Sequence, residues 1–361
     1  MCMTIDPSDN TMLLFTNSAL YAVSSSGTTS VVSGDETVIG FADGGRGEAR
    51  YNSPCGMTLD QEKKLMYVVD TGNHAFRIIQ LWSGDVYTVA GRGEESGFLD
   101  GVGDAARFSR PVDIVLGSND SIYICDKQNH SLRRIALGGH EPNQHGPYMG
   151  NPLPAVVSTV CGGTMYGARA LSYVDDPLLP ALDIATLYGA RDGPSNVALF
   201  NHPIGIAQDK NGQIIVADYT NSMIRSVDPT SGMTSTLVGV NSKLSWEQHG
   251  RWHCNGPRET AIINHPTSLC IDKFNNIIFA DCHNNQIRIL RTCGTMFTLA
   301  GGGAQNANGF PPQDQDPVNG RGASVRFNKP QQVMLDHNGF LHVLETGAFW
   351  TRRLKYTAIS T

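Results

Sequence analysis

Three sets of residues in this sequence have types and spacings that could do chemistry. The first is built on histidine. His202 and His265 each stand directly before a proline in the tripeptide Asn-His-Pro, and Ser53, Arg110 and Lys329 hold the same place before Pro54, Pro111 and Pro330. Imidazoles at repeated positions could share a metal ion, but zinc asks for three or four ligands and no third is evident. Arg110 and Lys329 put positive charge at the same repeated position, which suits an anion or a partner's acidic side chain better than a cation. The second set is His249, His253 and Cys254 in "SWEQHGRWHC", an HxxxHC spacing that one helical turn would gather on one side. Gly250 weakens such a turn, and no fourth ligand is near. Trp246 and Trp252 in so polar a stretch point instead to an exposed recognition loop, with Trp246, His249, Trp252 and His253 as candidate partner contacts.

The third set pairs an acid with an arginine seven residues on: Asp70/Asn73/Arg77, Asp126/Asn129/Arg133, Asp218/Asn221/Arg225, Asp281/Asn284/Arg288, and Glu345 with Arg352 in a decayed copy. No enzyme needs five equivalent acids, so the constant spacing reads as a device of the fold. Each copy is flanked by apolar, β-branched-rich runs, the pattern of a β-hairpin. The spacing predicts a turn with its Asn in the left-handed conformation and the acid and Arg opposite each other across two strands. Such a pair, partly exposed, is worth about 0.2–1 kcal/mol.

A longer repeat must position these hairpins. Upstream of each lies a Gly-rich turn, a small residue, an aromatic and a Pro opening a strand, clearest in "GFADGGRGEARYNSPCGMTLD", "GFLDGVGDAARFSRPVDIVLG" and "GARDGPSNVALFNHPIGIAQD". Ala49, Ala106, Ala198 and Ala323, with Tyr51, Phe108, Phe200 and Phe327, are expected to pack between neighbouring units. Downstream, "VYTVAG", "VSTVCG", "TSTLVG" and "MFTLAG" are alternating strands stopped by Gly. One repeat therefore holds four strands: Pro-led a, acid-ended b, Arg-bearing c and Gly-stopped d. Four short antiparallel strands repeated along a chain predict an all-β fold, a six-bladed β-propeller in a single domain. The blades fall at about 1–36, 37–93, 94–164, 188–240, 260–302 and 318–361, and the last shows no d strand. Inserted loops are expected at 138–155, 165–187, 241–259 and 302–318.

Composition narrows the function. Among 361 residues, 39 Gly and 18 Pro beside 40% hydrophobic residues fit many short strands and turns. A formal charge of −6 disfavours a nucleic-acid surface, and no apolar run approaches the length that spans a bilayer. The first ten residues lack the features of a signal peptide, and eight cysteines show no CxxC pair. The expectation is a soluble, intracellular protein with reduced thiols. No nucleophile elbow, zincin motif, phosphate loop or dinucleotide fingerprint is present, so neither catalytic residues nor a cofactor are assigned.

The run "ADGxGxxAxFxxPxGIxxD" together with "DxxNHxIR" resembles the NHL-repeat family of six-bladed propellers over nearly the whole sequence. The resemblance implies that strand a lines a central channel and strand d lies outermost. It also implies that Ser53, Arg110, His202, His265 and Lys329 sit at one channel mouth. The function expected is a non-catalytic protein-interaction scaffold, as one subunit of a larger assembly, whose last blade could accept a donated strand. The alternative is a metal-dependent lyase or hydrolase using His202 and His265 at the channel mouth. RNA binding, as in some NHL relatives, ranks third.

Overall fold

The computed structural model describes residues 2–118, 121–138, 152–163, 188–239, 253–302, 318–347 and 350–356. Trp246, His249 and Trp252 lie outside these residues, as do most of the four expected insertions. The chain divides into two units, Met1–Gly189 with Ser195–His202, and Ala190–Pro194 with Pro203–Thr361.

The first unit holds three antiparallel blades. Blade 1 is β1 (Cys2–Ile5), β2 (Met12–Phe15), β3 (Ala19–Val23) and β4 (Thr29–Gly34), and blade 2 is β5 (Gly56–Asp60), β6 (Leu65–Asp70), β7 (Ala75–Gln80) and β8 (Val86–Ala90). Blade 3 comprises β9 (Gly101–Val102), β10 (Pro111–Leu116), β11 (Ile122–Asp126), β12 (Ser131–Gly138) and β13 (Leu153–Gly162), with β9 pairing on the outside of β13. The insertion expected over 138–155 is thus strand at both ends, Gly138 pairing with Leu153. The second unit holds blade 4, β14 (Pro203–Gln208), β15 (Ile214–Asp218), β16 (Met223–Val227) and β17 (Thr234–Val238). Blade 5 is β18 (Gly256–Pro257), β19 (Pro266–Ile271), β20 (Ile277–Asp281), β21 (Gln286–Leu290) and β22 (Thr295–Gly301), and blade 6 has three strands, β23 (Pro330–Leu335), β24 (Phe340–Glu345) and β25 (Trp350–Lys355). All-β blades in this number and order are those of a six-bladed β-propeller.

Strands a of successive blades approach closely within each unit. A Cβ on Gly56 would sit 2.6 Å from Asp113 Cα, and one on Gly205 2.7 Å from Thr267 O, so only Gly fits there. Strand b is buried on both faces, as in Leu65–Asp70, which explains its unbroken apolar run. Between blades 2 and 3 the core gathers Tyr67, Phe76, Phe108, Ile114 and Ile135; in the second unit it gathers Leu269, Phe279, Phe327 and Val343.

The small residue two before each aromatic fills the gap between blades: Ala49, Ala106 and Ala198 are buried, as are Tyr51, Phe108, Phe200 and Phe327. In blade 6 that place belongs to Val325, which is buried, whereas Ala323 is exposed. The register there is set by distance from the aromatic, two residues, rather than by residue type.

The hairpin turns also differ from expectation in detail. Three are single 3-10 turns and the blade 4 hairpin is a turn closed by Ser222 N–H to Tyr219 O, and in all four the left-handed residue follows the Asn: His74 (φ 55°), His130 (φ 52°), Ser222 (φ 54°) and Asn285 (φ 53°). The preceding Asn is occupied otherwise, since Asn73 Nδ2 donates to Asp70 at 2.8 Å and to Gly40 O at 2.8 Å. The Arg does not face the acid directly. Arg77 pairs with Val68 while Asp70 pairs with Ala75, so the long guanidinium reaches diagonally along the sheet.

Candidate functional site

The acid–arginine sets are fully buried rather than partly exposed. Asp70 and Arg77, Asp126 and Arg133, Asp218 and Arg225, and Asp281 and Arg288 all have 0% side-chain exposure, with N–O distances of 2.7–3.0 Å. One carboxylate oxygen also takes the backbone N–H that precedes strand a: Asn52 to Asp70 at 2.9 Å, Ser109 to Asp126 at 2.7 Å, Asn264 to Asp281 at 2.7 Å. Burial pushes the Asp70 carboxyl up, and the Arg77 guanidinium and the Asn73 and Asn52 donors pull it back. Each Arg then reaches a second acceptor in the Asp-Gly step: Asp43 at 2.8 Å, Asp100 at 2.8 Å, Asp192 at 2.6 Å, and Asn255 at 2.8 Å in blade 5. In blade 6 Glu345 forms an ion pair with Arg352 at 2.6 Å and accepts Asn328 N–H at 2.6 Å.

That second acceptor holds strand d. Asp43, Asp100 and Asp192 each accept both the backbone N–H and the hydroxyl of one threonine, Thr88, Thr159 and Thr236, at 2.8–3.0 Å. Asn255 accepts the Thr298 hydroxyl at 3.3 Å. The signal for these threonines in the sequence is that the same letter stands in the same place of all four Gly-stopped runs.

The five residues before the strand-a prolines share one backbone state: Ser53, Arg110, His202, His265 and Lys329 all have φ of 50–55°. Their backbone N–H groups explain why. Arg110 N–H donates to His74 Nδ1 at 3.0 Å, His202 to His130 Nδ1 at 3.1 Å, His265 to Ser222 Oγ at 3.2 Å and Lys329 to Asn285 Oδ1 at 2.8 Å. The left-handed turn residue of one blade thus hooks the left-handed residue opening the next. An accepting Nδ1 carries no proton, so His74 and His130 are neutral with hydrogen on Nε2.

The side chains of His202 and His265 fall in different units, and each packs on its own neighbours. In the first unit His202 lies edge-on to His130 at 4.5 Å between ring centroids, and Tyr188 stacks on His130 at 5.0 Å. In the second, His265 stacks on His283 at 4.1 Å, with Tyr219 edge-on at 4.6 Å and its hydroxyl 3.4 Å from His283 Nε2. Burial, with the neighbouring His202, pushes His130 down to about 4; burial, with His283, does the same to His265. Among the described residues, no three His, Cys, Asp or Glu groups converge as metal ligands. His253 is half-buried, and the rest of its candidate contact loop lies outside the described residues.

The structure adds a place that the sequence reading left without residues. Blade 6 ends at β25, and among the described residues no strand pairs with its outer edge. A cleft of about 590 Å³ lies there, lined by Asn319, Gly320, Val325 and Thr351 to Leu354. Asn319-Gly320 stands where the other blades have Asp-Gly or Asn-Gly.

A family model for the Teneurin NHL domain matches residues 189–358, and one for the NHL repeat matches 108–135. The protein SUPPRESSOR OF QUENCHING 1, chloroplastic, of Arabidopsis thaliana is 26% identical over 289 residues, 72% of this chain and 26% of that protein. NHL repeat-containing protein 2 of Homo sapiens is 26% identical over 70% of this chain and 40% of its own length; Teneurin-4 of Mus musculus is 24% identical over 72% and 10%. The chain therefore spans between 10% and 40% of the length of these relatives. Of solved structures, an auxiliary nutrient binding protein from Bacteroides ovatus superposes with a TM-score of 0.57 at 13% identity, covering 97% of this chain and 68% of that one. A catalytically inactive virginiamycin B lyase from Staphylococcus aureus with quinupristin gives 0.51 at 12% identity, covering 99% and 80%. Identities this low speak for the fold alone. The repeated Asp/Asn/Arg hairpins, the blade pattern and the family matches agree on a six-bladed β-propeller that carries NHL repeats.

Proposed function

We propose that this propeller is a non-catalytic protein-interaction module, one subunit of a larger assembly, whose docking place is the outer edge of blade 6. The observation that carries the reading is the last blade, three-stranded among the described residues, with a cleft beside β25. A β-strand edge offers unpaired N–H and C=O groups, and extended partner segments add to such edges through main-chain hydrogen bonds. Rigid blades fastened by buried ion pairs supply the fixed template that strand addition requires. The test is capture on immobilised protein, wild type against Asn319→Trp, which would fill the cleft from an exposed position. A stoichiometric partner kept by wild type and lost by the variant supports the reading; equal capture by both sinks it.

A second reading rests on the Tyr219, His265 and His283 cluster, where neutral imidazoles could serve as bases in a lyase or hydrolase. Stoichiometric metal in the purified protein, lost in a His202→Ala/His265→Ala variant, would favour it over the scaffold. RNA binding would require retention on RNA at low salt despite a net charge of −6.

A further inference from the structure

We infer that Arg110 and Lys127 of blade 3 form a binding site for a doubly charged oxyanion, the phosphate group of a small molecule. The site belongs to the first unit and goes beyond the docking role proposed for blade 6.

The two cations are neighbours by register. Pro111 opens β10 and pairs with Asp126, the last residue of β11, so the residues just beyond the paired ends are Arg110 on one strand and Lys127 on the other. Hydrogen bonds fix both backbones. Arg110 N–H donates to His74 Nδ1 at 3.0 Å, Gln128 N–H to Ser109 O at 3.0 Å, and the Thr71 hydroxyl to Pro111 O at 2.6 Å. The same two positions carry His202 and Tyr219 in blade 4, His265 and Cys282 in blade 5, and Lys329 and Thr346 in blade 6. Blade 2 has Ser53 and Thr71 there. Of these five blades only blade 3 puts a cation on both strands, and the other four form their hairpins without such a pair. The fold therefore does not require it.

Neither cation is matched by an acid. Among the described residues, no carboxylate forms an ion pair with the side chain of Arg110 or Lys127. Asp126, next to Lys127 in the chain, is fully buried and taken up by Arg133, Asn129 and the Ser109 N–H. Lys127 is half-buried and Arg110 exposed. Burial first, and then the charge of Arg110, push the Lys127 ammonium below its usual range. The charge of Arg110 also bears on His74, and that of Lys127 on His202. His74 is neutral, since its Nδ1 accepts a hydrogen bond, and adds no third charge. Two like charges brought together on fixed backbones repel, and an anion shared between them relieves the repulsion.

The chemistry of the pair selects the ligand. A guanidinium presents a planar fork of N–H donors that fits two oxygens of one oxyanion, and an ammonium adds a compact point charge. A phosphate dianion balances both charges, whereas a carboxylate leaves one unmatched. Phosphodiesters of a nucleic acid carry one charge each and call for an extended basic surface, which a formal charge of −6 disfavours.

The test is calorimetric titration of the full chain with inorganic phosphate and with phenyl phosphate, at constant ionic strength and a pH above the second phosphate pKa of about 6. The expected result is one phosphate per chain. Arg110→Gln and Lys127→Gln should each weaken binding about 10-fold or more, and Lys127→Arg should retain it. Arg92→Gln, which removes the same charge from an exposed pair, should change it less than about 2-fold. Arg110 is exposed, so Arg110→Gln carries the comparison should Lys127→Gln fail to fold. The Lys127 ammonium, followed by NMR, should titrate at higher pH with phosphate bound, a change that a purely structural lysine would not show. Phenyl phosphate binding at least as tightly as inorganic phosphate makes the ligand a monoester, and the reverse order makes it the free ion. Acetate binding as tightly as phosphate would overturn the dianion, and an RNA oligonucleotide that displaces phosphate at lower concentration would refute the small molecule. No phosphate binding, or binding that both Gln variants retain, would overturn the site.

Discussion

Replacing Arg77 by Met isolates the energy of one blade clamp. The side chain is fully buried, bonds Asp70 at 3.0 Å, Asp43 at 2.8 Å and the carbonyls of Arg50 and Ala42, and lies 4.7 Å over the Tyr51 ring. Met keeps most of the length and packing volume, so what disappears is charge and hydrogen bonding. Asp70, at 0% exposure, would keep only the Asn73 amide and Asn52 N–H as donors. Leaving a buried charge without its partner costs about 3–5 kcal/mol, several times the value of an exposed pair. Arg92→Met is the control, because its pair with Glu95 is 60% and 51% exposed and should contribute less than about 1 kcal/mol. Urea unfolding of Arg77→Met, Asp70→Asn and the double variant would show the double costing less than the sum by about 2 kcal/mol or more. If Arg77→Met costs no more than Arg92→Met, the clamp is not what fastens the blade.

Three further outcomes follow from other parts of the structure. Because His130 and His265 have folded values near 4 against about 6.5 unfolded, the unfolded chain binds more protons between these limits. Stability should thus be full above pH 6.5 and fall towards pH 4, and His130→Asn, which keeps an acceptor, should flatten the melting-temperature profile there. Gly162→Ala would place a Cβ 2.4 Å from His130 O at φ +75°, costing about 2 kcal/mol or more, whereas Gly212→Ala at φ +83° meets open space and should cost about 1 kcal/mol in the same unfolding assay. Val325→Ala should lower stability by about 1–3 kcal/mol while Ala323→Ser leaves it within about 0.5 kcal/mol, and the reverse order would refute the blade 6 register.

Much of this molecule is legible in local pattern. Period-two apolar runs, turn residues and an acid–arginine spacing repeated five times determine strands, hairpins, blade count and the short last blade, because each is a property of neighbours in the chain. The depth of the clamp was not legible. Spacing places Asp70 and Arg77 on one hairpin, but their burial depends on Asp43, Arg50 and Tyr51 arriving from the preceding loop. Nor does spacing show that His74 and His130 turn their Nδ1 atoms to the backbone N–H groups of Arg110 and His202, which occupies those ring nitrogens. Thr88, Thr159, Thr236 and Thr298 were visible as letters, yet only the strand register reveals that each faces an arginine and seals it to an Asp or Asn more than thirty residues upstream. Sequence alone determined which residues recur and hence the fold; tertiary structure decided which of them are consumed in holding it, since burial and hydrogen bonding are settled between segments distant in the chain.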